Sequence, residues 1–302
     1  MKEFINYYYY LLPDKIHKFN NVYYFNINNN YFGLYPYYNN LNDLSSLFVL
    51  NNYMNYQFNK INKIIINKDG KVYTIKDNNI YVLILLKNSS KEIININNIL
   101  EFSNIYPHIN TLNHSNWYLL WSNKIDYLET IRNNLKKDSL IIYNSLPYYI
   151  GLTENAISYL KYINIKNDNI GISHKRINYN DTLNDLYNPL NLVIDYKVRD
   201  LAEYYKALFF KTNNINLIIK SYKTINMNYL DSIYFYIRML YPSYYFDKLD
   251  KVLQGNIKEE ELLNITKYID SYEYLLYELF LLIKKQGNIL EIEWINKKFA
   301  NN

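Results

Sequence analysis

The sequence predicts an α+β fold of two lobes, a small β-rich lobe over residues 1–86 and a larger helical lobe over residues 92–302. Three observations predict it. Up to residue 86, β-branched and aromatic runs alternate with Asn-rich breaks, the pattern of short strands joined by turns. From about residue 92 the apolar residues recur mainly at helical spacing. Between the two regimes lies a polar stretch, Lys87 to Lys91, read as the linker.

In order, Tyr7 to Tyr10 reads as a first strand covering the sheet, and Asn21 to Ile27 and Tyr31 to Tyr38 as further strands. Between the strands, the apolar residues Leu41, Leu44, Leu47, Phe48, Leu50 and Tyr53 have a spacing that mostly suits one helix, read over Leu41 to Tyr56. In Ile61 to Ile75 two apolar runs flank Lys68-Asp69-Gly70, and Asp-Gly supplies the positive φ angles of a tight hairpin. Tyr81 to Leu86 suits a buried strand.

In the helical region, Ser115 is expected to cap a helix carrying Trp117, Leu120, Trp121, Ile125, Leu128, Ile131 and Leu135. A stripe of this kind reads as core, not as a surface for stacking ligands. Pro147 is expected to open the next helix, with Leu152, Ala156, Tyr159, Leu160 and Ile163 on its inner face. Four or five helical segments are expected at the end of the chain. Pro242 separates two of them, and Glu259-Glu260-Glu261 opens a long one, where negative charge suits the helix dipole.

Composition narrows the function classes. Of 302 residues, 49% are hydrophobic and 18% aromatic, enough for a real core. The 38 tyrosines accompany abundant Asn, Ile and Lys, so a tyrosine cluster is weak evidence for a site. The net charge of +5 is scattered with no run of five basic residues, which argues against a nucleic-acid partner. With no cysteine, disulfides, thiolate catalysis and Cys-ligated metal are excluded. His17, His108, His114 and His174 lack metal-site spacing. No apolar run approaches the ~18 residues of a membrane span. Met1 to Leu12 lacks a small-residue cleavage site, so no signal peptide is expected and the cytoplasm is the expected location.

The chemistry concentrates in residues 172–205. His174-Lys175-Arg176 opens a polar loop, Val193-Ile194-Asp195 ends a short apolar strand, and Arg199-Asp200-Leu201-Ala202-Glu203 opens a helix. These motifs resemble the aminoglycoside phosphotransferase and CotS spore-coat group, within it the YutH-like spore coat branch. Pro147 to Ile157 and Trp117 to Glu129 resemble that branch's helices. The resemblance is specific over residues 117–205 and loose elsewhere, and it implies a protein-kinase-like two-lobe fold.

Active members of the wider family carry His-Gly-Asp in the loop, and the Asp accepts the substrate hydroxyl's proton. By the resemblance His174 matches the family His, Lys175 the Gly and Arg176 the Asp. Arginine cannot serve as a base. Asp181 falls at the position of a magnesium-binding Asn and Asp195 at that of the magnesium Asp. Asp195 is thus a conditional metal ligand, although it can instead pair with Arg176 or Lys197, and a lone carboxylate rarely makes a magnesium site. The resemblance gives Asp200 a structural role, accepting backbone N–H bonds from the loop near the His. Lys175 and Arg176 read as solvent-facing, with a basic contact for a phosphate or acidic partner as the alternative. The strand expected to hold a phosphate-binding lysine has none near Leu34, Leu41 to Tyr56 has no Glu, and Gly33 is the only glycine in the first 60 residues.

The resemblance therefore implies a catalytically inactive kinase-like protein of the mother cell and spore coat, with coat or sporulation proteins as partners and no cofactor. The competing class is a divergent ATP- and magnesium-dependent small-molecule phosphotransferase. A nucleic-acid-binding protein is the third.

Overall fold

A computed structural model of the chain describes residues 1–87, 91–107, 112–135, 139–163 and 169–300. Its first part is a six-stranded antiparallel sheet. The strands are β1 (His17–Phe19), β2 (Val22–Ile27), β3 (Asn30–Pro36), β4 (Lys63–Ile65), β5 (Thr74–Lys76) and β6 (Asn79–Leu86), in the order β1-β2-β3-β6-β4, with β5 also on β6. Two-residue turns with positive φ at Asn20 and Asn21, Asn28 and Asn29, and Asp77 and Asn78 connect β1–β2, β2–β3 and β5–β6. Asparagine tolerates the left-handed region better than most residues, so the Asn-rich breaks do turn work.

Two sequence expectations are corrected in this part. Tyr7 to Tyr10 is not strand: Lys2–Tyr9 forms helix α1, which lies over the outer sheet face. Ile5 and Tyr9, four residues apart, fall on one side of that helix and pack with Phe25, Phe32, Leu34 and Leu83. The Asp69-Gly70 turn forms, with Gly70 at φ 72 and the Asn67 side chain accepting from Asp69 and Lys71 N–H. Its flanking strands β4 and β5, however, each pair with β6 and not with one another. Of the expected linker, residues 88–90 lie outside the described residues.

Helix α2 (Asn42–Gln57) buries Leu44, Leu47, Leu50 and Met54 against the inner sheet face. Asn51, buried on the same helix, accepts from Ile64 N–H at 2.9 Å and donates to the Asn62 carbonyl at 2.7 Å, which fixes the start of β4. Asn62 then spans the seam to the helical part. Its side chain donates to Asn184 Oδ1 at 3.1 Å and accepts from Lys87 N–H at 2.9 Å, while its own N–H reaches the Tyr187 carbonyl at 3.2 Å.

The rest of the chain is helical around a two-stranded antiparallel ribbon. Helices α3 (Ile96–Ser103), α4 (Trp117–Asn134) and α5 (Leu140–Tyr162) precede β7 (Ile170–His174). Helix α6 (Leu183–Leu186) and β8 (Leu192–Tyr196) follow. Then come α7 (Arg199–Thr212), α8 (Ile215–Thr224), α9 (Tyr229–Leu240), α10 (Ser243–Leu253), α11 (Leu263–Thr266), α12 (Ile269–Lys284) and α13 (Glu293–Phe299). That is seven α-helices after β8 among the described residues, where four or five segments were expected. A Cβ at Gly171 would lie 2.0 Å from the Ser103 carbonyl, so only glycine lets the end of α3 meet β7 this closely.

Other boundaries differ from expectation. The cap of α4 is Asn116, whose side chain accepts from Leu119 N–H, while Ser115 donates its own N–H to Asn113. Trp117, Trp121, Ile125 and Leu128 of its stripe are buried, but Leu120 is 47% exposed. Pro147 sits inside α5 because apolar residues are buried on both sides of it: Ile142 and Leu146 before, Ile150 and Leu152 after. The three glutamates do not open a long helix. They form a 3-10 turn (Glu259–Leu262), and Glu259 instead accepts from Ile142 N–H at 2.6 Å in the first turn of α5.

Candidate functional site

The site is built on the β7–β8 ribbon, where His174 pairs with Leu192 and Gly171 with Asp195. His174 is buried. Its Nδ1 lies 2.6 Å from Asp200 Oδ2 and its Nε2 lies 2.8 Å from the Leu186 carbonyl. A carboxylate and a carbonyl can only accept, so both ring nitrogens carry hydrogen and the ring is an imidazolium. Burial works against that charge. The Asp200 carboxylate beside it and the bond to Leu186 outweigh burial and hold the ring's pKa above its ordinary value. Asp200 also accepts the His174 backbone N–H, at 3.0 and 3.1 Å to its two oxygens. It stands in the first turn of α7, where a helix favours negative charge.

Asp195 ends its strand fully buried. Its Oδ2 accepts from the Arg199 guanidinium and its Oδ1 from Tyr196 N–H at 2.7 Å. Arg199 also donates to the Lys175 carbonyl at 3.3 Å. The expected partners, Arg176 and Lys197, are both elsewhere. Arg176 reaches across to α10 and donates to Asp247 at 2.5 Å. Lys197 lines a separate cavity with α3 residues such as Asn97 and Leu100.

Arg176 is exposed, and its backbone is fixed by Asn191, which accepts its N–H at 3.2 Å and donates to its carbonyl at 2.7 Å. Lys175 is half-buried, and burial lowers its pKa. Asp181 accepts from Asn178 N–H at 2.7 Å and so closes its own loop; burial raises its carboxyl despite that bond. Of the residues singled out by sequence, the structure joins His174 with Asp200. It gives Asp195, Arg176 and Asp181 three other partners. His108 lies outside the described residues. Among the described residues no three His, Cys, Asp or Glu side chains gather as a metal site.

The space between the two parts is a cleft of about 430 Å³ whose walls include Tyr35, Lys175, Arg176 and Asp181. Leu34, where a lysine was sought, faces α1 on the other side of the sheet. The inner face of β3 carries Gly33 and Tyr35. The Tyr35 ring folds back over Gly33, where a Cβ would lie only 2.5 Å from it, and meets Tyr24 edge-on at 6.1 Å. Its hydroxyl bonds with the side chains of Tyr24 and Asn184, and burial raises its pKa.

Sequence reasoning missed a buried network next to this site. Glu203 Oε1 accepts from Lys206 at 2.7 Å and from Arg238 Nε at 2.6 Å, and its Oε2 accepts from the Ser243 hydroxyl at 2.6 Å. Lys206 also donates to Ser243 Oγ and to the carbonyls of Arg238 and Tyr241. Burial brings Lys206 down to about 7, against the pull of Glu203. Burial alone would raise Glu203, but Lys206 and Arg238 hold it well below the usual carboxylate range. The i,i+3 spacing of Glu203 and Lys206 on one helix was the available signal.

Comparison with known proteins gives a consistent picture. The family model described as "Spore coat putative kinase YutH" matches residues 2–279. The Bacillus subtilis (strain 168) endospore coat-associated protein YutH is 27% identical over 164 residues. That alignment covers 48% of this chain and 48% of the relative, about half of each. An aminoglycoside phosphotransferase from Alicyclobacillus acidocaldarius superposes with a TM-score of 0.62 at 11% identity, over 91% of this chain and 94% of that one. A spectinomycin phosphotransferase in complex with ADP and spectinomycin gives 0.57 at 12%, over 92% and 96%. At such identities the likeness is one of fold: a β-rich part and a larger helical part in the kinase-like arrangement.

Proposed function

The chain belongs to the YutH spore coat family, and from that premise we propose that it is a coat-associated protein which binds other coat or sporulation proteins on a kinase-like scaffold that transfers no phosphate. The pairing of Arg199 with Asp195 carries this reading. In phosphoryl transfer the equivalent carboxylate holds magnesium. Here a guanidinium and the Tyr196 N–H occupy its two oxygens.

The other parts agree. Strand β3 has no lysine, α2 has no glutamate, and the Tyr35 ring lies over the inner face of β3. Arg176 at the base position is engaged by Asp247 and cannot accept a proton. These residues do not fit a magnesium-bound nucleotide, and no transfer step runs through one. Among the described residues no helix is long and apolar enough to cross a membrane. The expected location is the mother-cell cytoplasm and then the coat.

Two measurements test the reading. Incubation with labelled ATP, magnesium and candidate acceptors is expected to give no time-dependent product. Product that disappears in Asp195→Ala would instead establish a divergent phosphotransferase, the reading that the fold's likeness to such enzymes favours. A tagged copy followed through sporulation is expected to collect at the coat, and one that stays diffuse throughout counts against the coat assignment.

A further inference from the structure

Buried cations gather around α7 and α9. Arg199, Lys206 and Arg238 keep 6%, 1% and 5% of their surface, and His174 keeps 1%. Asp195 is taken by Arg199 and Asp200 by His174, whereas the single carboxylate of Glu203 serves both Lys206 and Arg238. Two buried cations thus share one carboxylate. Two further carboxylates line the cavity described next and are already engaged, Asp247 with Arg176 and Asp250 through both oxygens with Lys124.

Arg238, which shares Glu203 with Lys206, borders a cavity. Arg238 and Arg199 line a space of about 270 Å³ together with Trp117, Trp121 and Tyr241. The Arg238 guanidinium carbon sits 5.3, 5.8 and 5.3 Å from the centres of those three rings. Two lining residues also keep a buried N–H with no acceptor among the described residues: Trp117 Nε1 and Arg199 Nε. Buried donors without acceptors and a buried cation that shares its carboxylate are both costly, and one negatively charged acceptor relieves both.

We propose that this cavity binds a small anion, a phosphate or carboxylate group on a compact molecule. Arg238 is its counter-charge, and the Trp117 and Arg199 N–H groups are its donors. The volume lies just below the range of ordinary ligand pockets, about 300–1,000 Å³, which limits the molecule to a small one. The cavity shares Arg199, Arg176 and Asp247 with the proposed loss of phosphate transfer, but the groups that would hold the anion, Arg238, Trp117 Nε1 and Arg199 Nε, are not used there.

The chain has three tryptophans, and two of them wall the cavity, so their emission reports on it. The experiment titrates inorganic phosphate and, separately, acetate against sodium chloride at matched ionic strength, reading tryptophan emission and melting temperature. A saturable emission change with a rise in melting temperature is expected for phosphate or acetate but not chloride, and the tighter of the two assigns the anionic group. Arg238→Gln is expected to abolish the response. Lys124→Glu, at the rim, leaves the buried network intact and is expected to weaken apparent affinity several-fold. A parent that responds to neither anion beyond chloride overturns the proposal. So does a response undiminished in Lys124→Glu.

Discussion

Asp200 holds His174 through three contacts: both carboxylate oxygens take the backbone N–H and one takes the ring Nδ1–H. The bond therefore fixes the end of β7, the ring's orientation and its charge together. It does so without exposing any group to a ligand, since both residues are buried.

Asp200→Ala removes the counter-charge of a buried imidazolium and orphans two donors. Breaking a buried pair on one side costs about 3–5 kcal/mol, so the variant is expected to melt well below the parent. A urea denaturation midpoint equal to that of the parent would refute the role given to this carboxylate.

The same pair sets a pH dependence. The folded-state pKa of His174 is raised, so its stabilisation is complete below the unfolded value near 6.5 and is lost as pH rises through the folded value. Lys206 shifts the other way: its folded value is depressed, so its contribution to stability rises with pH from about 7 upward. His174 is therefore isolated as the stability of the parent minus that of His174→Gln. That difference is expected to shrink as pH is raised above about 6.5, and a difference that grows would contradict the imidazolium.

Arg199→Met leaves the fully buried Asp195 without its guanidinium, at an expected cost of about 3–5 kcal/mol. Replacing both partners, as Arg199→Met with Asp195→Leu, is expected to recover most of that loss, because two apolar groups strand no charge. A double-mutant cycle by urea denaturation measures the coupling. Additive losses would mean the two groups do not act as a pair.

Glu259 and Glu260 are neighbours with different fates. Glu259→Ala is expected to lose about 1 kcal/mol through the first turn of α5, whereas Glu260→Ala is expected to be near neutral. Equal effects in thermal melts would remove Glu259 as the cap.

The sequence made the two-part architecture legible because strand runs and helical stripes differ in period, and residues 22–36 and 117–128 carry those periods cleanly. It hid α1, because four consecutive tyrosines mask the spacing of Ile5 and Tyr9. It also hid the continuation of α5 through Pro147, since a local breaker was overridden by burial on both sides. At the site, His174, Asp195 and Asp200 were named through the resemblance, but the partner of Asp195 was not. Arg199 lies four residues on, across a strand-to-helix corner, where no periodicity says which way a side chain turns.

The seam at Asn62 has a consequence for how the chain is made. Two of its contacts, with Asn184 and Tyr187, lie more than a hundred residues downstream, as the separation of 122 to Asn184 records. A nascent chain can assemble its β-sheet while still attached to the ribosome, but it must wait until residue 187 has emerged to seat this asparagine. More than half of the protein is therefore synthesised before its first part is finished, and that interval is when the nascent sheet most needs shielding from its neighbours.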